Sequence, residues 1–179
     1  MSSLRDEDDH GARNGLATAL LEKAMERGVP TSIKVAGSSM LPLIRSGDTL
    51  RVRPFAEGHL EPGDVVALRD PRGGSLFVHR VIARDAEGLI VQGDNVAHQD
   101  GRFGQESVMG VVTRVERNGR SVWFGSGRWG GLVARAVRGG LVWRFNRAYY
   151  GTRRRVRACL KFLPGPSRLR EHKGDDGKE

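Results

Sequence analysis

Residues 75–83 read Ser-Leu-Phe-Val-His-Arg-Val-Ile-Ala, and residues 88–93 read Gly-Leu-Ile-Val-Gln-Gly. Both are short runs of β-branched and aromatic residues bounded by turn formers, the pattern of strands joined by a tight connection. Alternation along the first run puts Phe77, His79 and Val81 on one face and Val78, Arg80 and Ile82 on the other. The same texture extends outward in both directions. Upstream lie SIKVAG (32–37), DTLRVRP (48–54) and DVVALRD (64–70); downstream lie SVMGVVTRVER (107–117) and SVWF (121–124). The turn signals SGD, PGD, DPRGG, AEG and NG separate them. Seven strands with little helix between them predict a mainly β (β-rich α+β) fold, a coiled antiparallel sheet or partial barrel.

Around this β domain, placed at residues 29–125, the composition changes. Residues 1–13 are charged and almost free of large apolar groups, which predicts disorder. Asn14 is a candidate cap for a short amphipathic helix that Gly28 and Pro30 end, so residues 1–28 form a tail plus a helix. From residue 126 to 179, Trp, Leu, Val and Tyr alternate with Arg at helical intervals before a polar tail begins at Pro164. Between Arg114 and Lys161 there are twelve Arg and one Lys against the single acid Glu116, within a chain of net charge +9. Such a surface attracts anionic membranes, acidic peptides or nucleic acid. We read residues 126–161 as interfacial helices on an anionic membrane surface, ahead of helices that complete the core. Nucleic acid ranks last, because no recognition helix or base-stacking motif accompanies the charge.

The N-terminus lacks the apolar core of a secretory signal, and no window approaches the ~18 apolar residues of a membrane span. The expected location is cytoplasmic, peripheral on the inner face of the membrane. One cysteine, Cys159, leaves no internal disulfide and no Cys-rich zinc site, and it reads as a small buried apolar side chain.

Three segments can carry chemistry. Gly37-Ser38-Ser39-Met40-Leu41-Pro42 supplies a turn able to expose a serine hydroxyl beside backbone N–H groups, although Gly, Ser and Pro also make ordinary loops. His79 shares a face with apolar residues, where a histidine is more often a core residue than a base. Gly93-Asp94-Asn95-Val96-Ala97-His98-Gln99-Asp100 leaves a strand with two carboxylates, Asp94 and Asp100. Either could serve the second nitrogen of a histidine base.

In this order the three segments resemble the signal peptidase superfamily of serine endopeptidases (the S24–S26 superfamily, signal peptidase I-like). The Ser39-Met40-Leu41-Pro42 box, the Gly-Asp-led strands GDTLRV and GDVVAL, the His-Arg-Val strand and the Gly-Asp-Asn box carry the likeness over residues 32–115. It looks closest to the branch that uses His where most bacterial signal peptidases use Lys, since no lysine lies between Lys34 and Lys161. The resemblance implies Ser39 as nucleophile, His79 as general base, Asp100 as the aspartate of the triad and Asp94 as a site-shaping partner. It implies a peptide or protein substrate, an acyl-enzyme, and no metal or organic cofactor. The Ser39 N–H would serve the oxyanion, while Gly37 stands where some relatives carry a second, hydroxyl donor. The membrane anchor of signal peptidases and the helix-turn-helix domain of LexA-like repressors have no counterpart here, so an anchorless relative is expected. A non-catalytic module binding peptide or membrane on the same fold is the alternative.

Overall fold

The computed structural model of the chain describes residues 19, 21, 23–25, 27–55, 59–71 and 74–150. The expected disorder at both ends, the Asn14 cap and Cys159 lie outside these residues. Eight antiparallel strands form one sheet: β1 (Thr31–Lys34), β2 (Thr49–Pro54), β3 (Val65–Arg69), β4 (Leu76–Asp85), β5 (Gly88–Gln92), β6 (Gly101–Phe103), β7 (Val108–Arg117) and β8 (Arg120–Val122). Their order is β1-β2-β7-β3-β4-β5-β6, with β8 paired to β7, and the sheet does not close. The β-rich α+β expectation holds. The strand additional to the seven expected is β6, whose three residues Gly-Arg-Phe show no alternation.

The sheet is buried on both sides at its centre. Along β3, Val65 and Ala67 join a cluster with Leu21, Met40, Ile44, Leu50, Val52, Val112 and Val115. Val66 and Leu68 face the other way, into a cluster with Leu60, Val81, Leu89 and Val91. A strand covered on both faces reads as a continuous apolar run, as Val-Val-Ala-Leu does. Leu21 is the contribution of the N-terminal helix, which closes where the Gly28 and Val29 N–H groups bond the Met25 and Ala24 carbonyls.

The chain divides into two compact units, the first ending at Asn146. Within that unit the helix Gly130–Arg138 buries Ala134 and Val137. Its first residue fits against the turn before β3: a Cβ on Gly63, whose φ is +115°, would lie 2.3 Å from the Gly130 carbonyl carbon. Residues 141–150 are helical again.

Asp48 fastens the loop between β1 and β2. It accepts from the Arg45 N–H at 2.8 Å and from Arg117 Nε at 2.8 Å, while Arg117 also donates to the Leu43 carbonyl at 3.1 Å. Burial pushes the Asp48 carboxyl upward, but the Arg117 and Arg45 bonds outweigh it and hold it below the usual 3.8. A depressed folded value means stability present above pH 3.8 and lost as pH falls through the lowered value. Asp48→Asn is therefore expected to cost about 1–3 kcal/mol at neutral pH. In urea melts, its deficit against the parent should shrink as the pH is taken below 3.8.

Candidate active site

Two neighbours on β4 point to opposite sides of the sheet, and the site is built from that divergence. His79 pairs with Val66 in the ladder and stands beside Phe77, ring centroids 5.1 Å apart, at the margin of the second core cluster. Its Nδ1 lies 2.7 Å from Asp100 Oδ2. The approach is close without hydrogen-bond alignment, and neither atom has another hydrogen-bond partner among the described residues. Asp100 is held there by its own N–H, which bonds the Val91 carbonyl as β6 begins.

Arg80, on the opposite face, is fully buried. Its Nε and one terminal nitrogen bind the two oxygens of Asp94, each at 2.8 Å. The remaining N–H groups go to the carbonyls of Gly63, Gly125 and Phe124 at 2.8–3.0 Å. Both charged side chains of the pair are 0% exposed. Burial drives the Asp94 carboxyl upward, opposed first by the Arg80 guanidinium and then by His79. The net effect leaves the Asp94 carboxyl above its ordinary value, with Arg80 the strongest influence against the rise.

The Gly93-Asp94-Asn95 corner carries this anchorage to the serine loop. The Asn95 N–H donates to the Ser39 carbonyl at 2.6 Å, and Asn95 Nδ2 donates to the Ser38 carbonyl at 3.2 Å. Gly93 sits between loop and imidazole: a Cβ there would meet Ser39 O at 2.9 Å and His79 Nε2 at 3.0 Å. A second clamp comes from buried Asn146, whose Nδ2 donates to the Leu41 carbonyl at 3.0 Å and to Asn95 Oδ1 at 3.1 Å. Ser39 itself is half-buried, and its hydroxyl makes no hydrogen bond to His79 among the described residues.

Of the four residues singled out from the sequence, Asp100 faces His79, Ser39 lies across Gly93 from His79 Nε2, and Asp94 is bound to Arg80. The corner holds the serine loop through bonds that Asn95 makes. Sequence reasoning missed Arg80, Asn95 and Asn146. An arginine flanked by Val78, Val81 and Ile82 with an aspartate in the loop after the following strand was the available signal for the ion pair.

A cavity of about 440 Å³ opens beside the imidazole, lined by Asp70, Ser75, Phe77, His79, Asp100 and Phe103 among others. It lies on the Asp100 side of His79, along β6.

With the geometry in place, comparison with known proteins adds one finding: a family model described as Peptidase S24-like matches residues 20–113, more than half of the chain. No curated protein matches it.

Breaking a buried ion pair from one side leaves the other charge uncompensated, at about 3–5 kcal/mol. Arg80→Met is expected to lose that much stability in urea melts, and the double variant Arg80→Met/Asp94→Asn less than the sum of its parts. A single variant within about 0.5 kcal/mol of the parent, the range of an ordinary surface substitution, contradicts the anchoring role.

Proposed function

We propose, from the premise that this chain belongs to the Peptidase S24-like family, that it is a serine endopeptidase of the signal-peptidase-like kind. The observation that carries this is the disposition of one imidazole. His79 turns Nδ1 to Asp100 at 2.7 Å and Nε2 to the serine loop across Gly93. In the proposed reaction His79 Nε2 takes the Ser39 hydroxyl proton as Oγ attacks the scissile carbonyl carbon. The Asp100 carboxylate beside Nδ1 holds the ring and stabilises the imidazolium that forms. The Ser39 N–H receives the oxyanion. The imidazolium then protonates the leaving amine, and water, deprotonated by the same nitrogen, releases the acyl group from Ser39.

Asp94 acts at one remove, keeping the loop that bears Asn95 and Gly93 in register through Arg80. β6 ends the sheet and begins directly after Asp100, so an extended peptide added along it would run past the cavity with its scissile bond near Ser39. A peptide or protein is thus the proposed substrate, and no step draws on a metal or organic cofactor. The proposed setting is the cytoplasmic side of the cell.

The alternative, a non-catalytic module binding peptide or membrane on the same fold, finds support in the unmade Ser39–His79 hydrogen bond. A fluorophosphonate separates the two readings. The peptidase reading expects covalent labelling of Ser39, abolished by Ser39→Ala and strongly slowed by His79→Ala. An unlabelled native chain favours the binding module.

On a cleavable peptide, Ser39→Ala and His79→Ala are each expected to lower kcat by about 10³-fold or more, with the double variant no worse than either. Asp100→Asn should cost about 10²–10⁴-fold while leaving the melting curve in place. Loss of stability with unchanged rate would instead make Asp100 a structural residue.

Gly93→Ala tests the packing of the site. Its methyl has Ser39 O, His79 Nε2 and Val96 Cγ2 within 2.8–3.0 Å, so loop or imidazole must move. Since displacements near 1 Å can cost about 10²-fold in rate, kcat/KM should fall by about that factor, well beyond what any loss of folded protein explains. Parental kcat/KM would show that the imidazole does not work from this position.

A further inference from the structure

The helical segment that closes the first unit has two contrasting sides. Residues 125–146 carry Arg128, Arg135, Arg138 and Arg144 and no acid. In the helix Gly130–Arg138, Gly130, Ala134 and Val137 are buried, while Leu132 is 52% exposed. In the following helical stretch Asn146 is buried against the serine loop, while Leu141 and Phe145, one turn apart on one flank, are 63% and 68% exposed. Trp129 is half exposed, and the Arg128 guanidinium stands 5.6 Å from its ring centroid.

Single exposed apolar residues are ordinary on a protein surface. Four large ones interleaved with four arginines, with no acid or lysine among them, are a different surface. Its charge rejects a basic partner, and its leucines and aromatic rings gain nothing from a purely ionic one. Acyl chains beneath a phosphate layer satisfy both: Leu, Phe and Trp enter the apolar boundary, and the guanidinium groups bind the phosphates. We propose that Trp129, Leu132, Leu141 and Phe145, with Arg128, Arg135, Arg138 and Arg144, form a docking surface for an anionic phospholipid bilayer. No described helix is long and apolar enough to cross a bilayer; in the docked state these helices lie in the headgroup plane.

The position of the surface has a consequence. Asn146, on the same helical stretch as Leu141 and Phe145, bonds the Leu41 carbonyl and Asn95. The bilayer therefore holds the serine loop at the headgroup layer, within reach of peptides lying there. That consequence rests on the peptidase reading, whereas the docking does not.

The test is co-sedimentation of the full chain carrying Ser39→Ala with vesicles of phosphatidylcholine, with and without phosphatidylglycerol. Because this variant is read without cleavage, the result stands apart from the peptidase reading. Binding is expected only with phosphatidylglycerol present, falling as salt rises but retaining a salt-resistant remainder. Adding Leu132→Gln and Leu141→Gln should weaken it about tenfold or more. Placed in the otherwise native chain, the same pair should leave the melting curve unchanged, since both side chains face solvent. No binding, equal binding to pure phosphatidylcholine, or an unchanged affinity in the Gln variant overturns the proposal. So does concentration-dependent self-association that the Gln variant abolishes without any lipid binding, which would give this face to a second copy of the chain.

Discussion

The Arg80 guanidinium presents five N–H groups and reaches no water, so each must find an acceptor inside the protein. The acceptors come from three places in the chain: both oxygens of Asp94, the Gly63 carbonyl before β3, and the Phe124 and Gly125 carbonyls after β8. No other side chain among the described residues ties so many segments together. Its planar fork also fixes direction, since two parallel bonds to one carboxylate set the orientation of the Asp94 loop as well as its position. A lysine could match the charge but not this geometry. The cost of burying two charges is large, and the energetic case for such a pair rests on how completely both are bonded.

From Asp94 the constraint passes along three consecutive residues. Gly93 lets the corner approach His79 Nε2 and the Ser39 carbonyl more closely than any side chain would permit. Asn95 spends its backbone and side-chain N–H groups on the carbonyls of Ser39 and Ser38. Asn146 then binds Asn95 and the Leu41 carbonyl from the helical side. The loop bearing the proposed nucleophile is thus fixed through its backbone, and among the described residues the Ser39 hydroxyl is uncommitted. His79 is carried by β4, one residue from the anchor, so imidazole and serine loop share a single rigid reference. Mutually supporting placement of this kind is what a preorganised site requires.

Most of the sheet was legible in the sequence because two physical signals coincide there. Short runs rich in Val, Leu and Ile mark the strands, and Gly, Asp and Pro mark their ends. β6 escaped because Phe103 is the one large apolar residue in Gly101-Arg102-Phe103-Gly104, which reads as a loop. The faces of His79 and Arg80 followed from alternation, yet alternation says nothing about what covers a face. The carbonyls that bury Arg80 come from segments 17 and 44–45 residues away. Ser39, His79, Asp94 and Asp100 were found as a set through a family resemblance over residues 32–115, since each alone reads as a loop or core residue. The family match covers residues 20–113 and ends before Phe124, Gly125 and Asn146. The residues that fasten the site from the C-terminal side therefore lie outside the family match. Asn146 in particular is one asparagine among tryptophan, arginine and tyrosine, and only the fold brings it to the loop.

The chemistry proposed for His79 requires a particular neutral imidazole, with its proton on Nδ1 facing Asp100 and a free lone pair on Nε2 facing the serine loop. Nitrogen-15 NMR of histidine-labelled protein, followed as the ring becomes neutral, reads this directly. The account predicts that neutral His79 carries its proton on Nδ1, and that Asp100→Asn shifts it toward the other tautomer. A native His79 protonated on Nε2 when neutral would contradict it, because that nitrogen could not then accept a proton from Ser39.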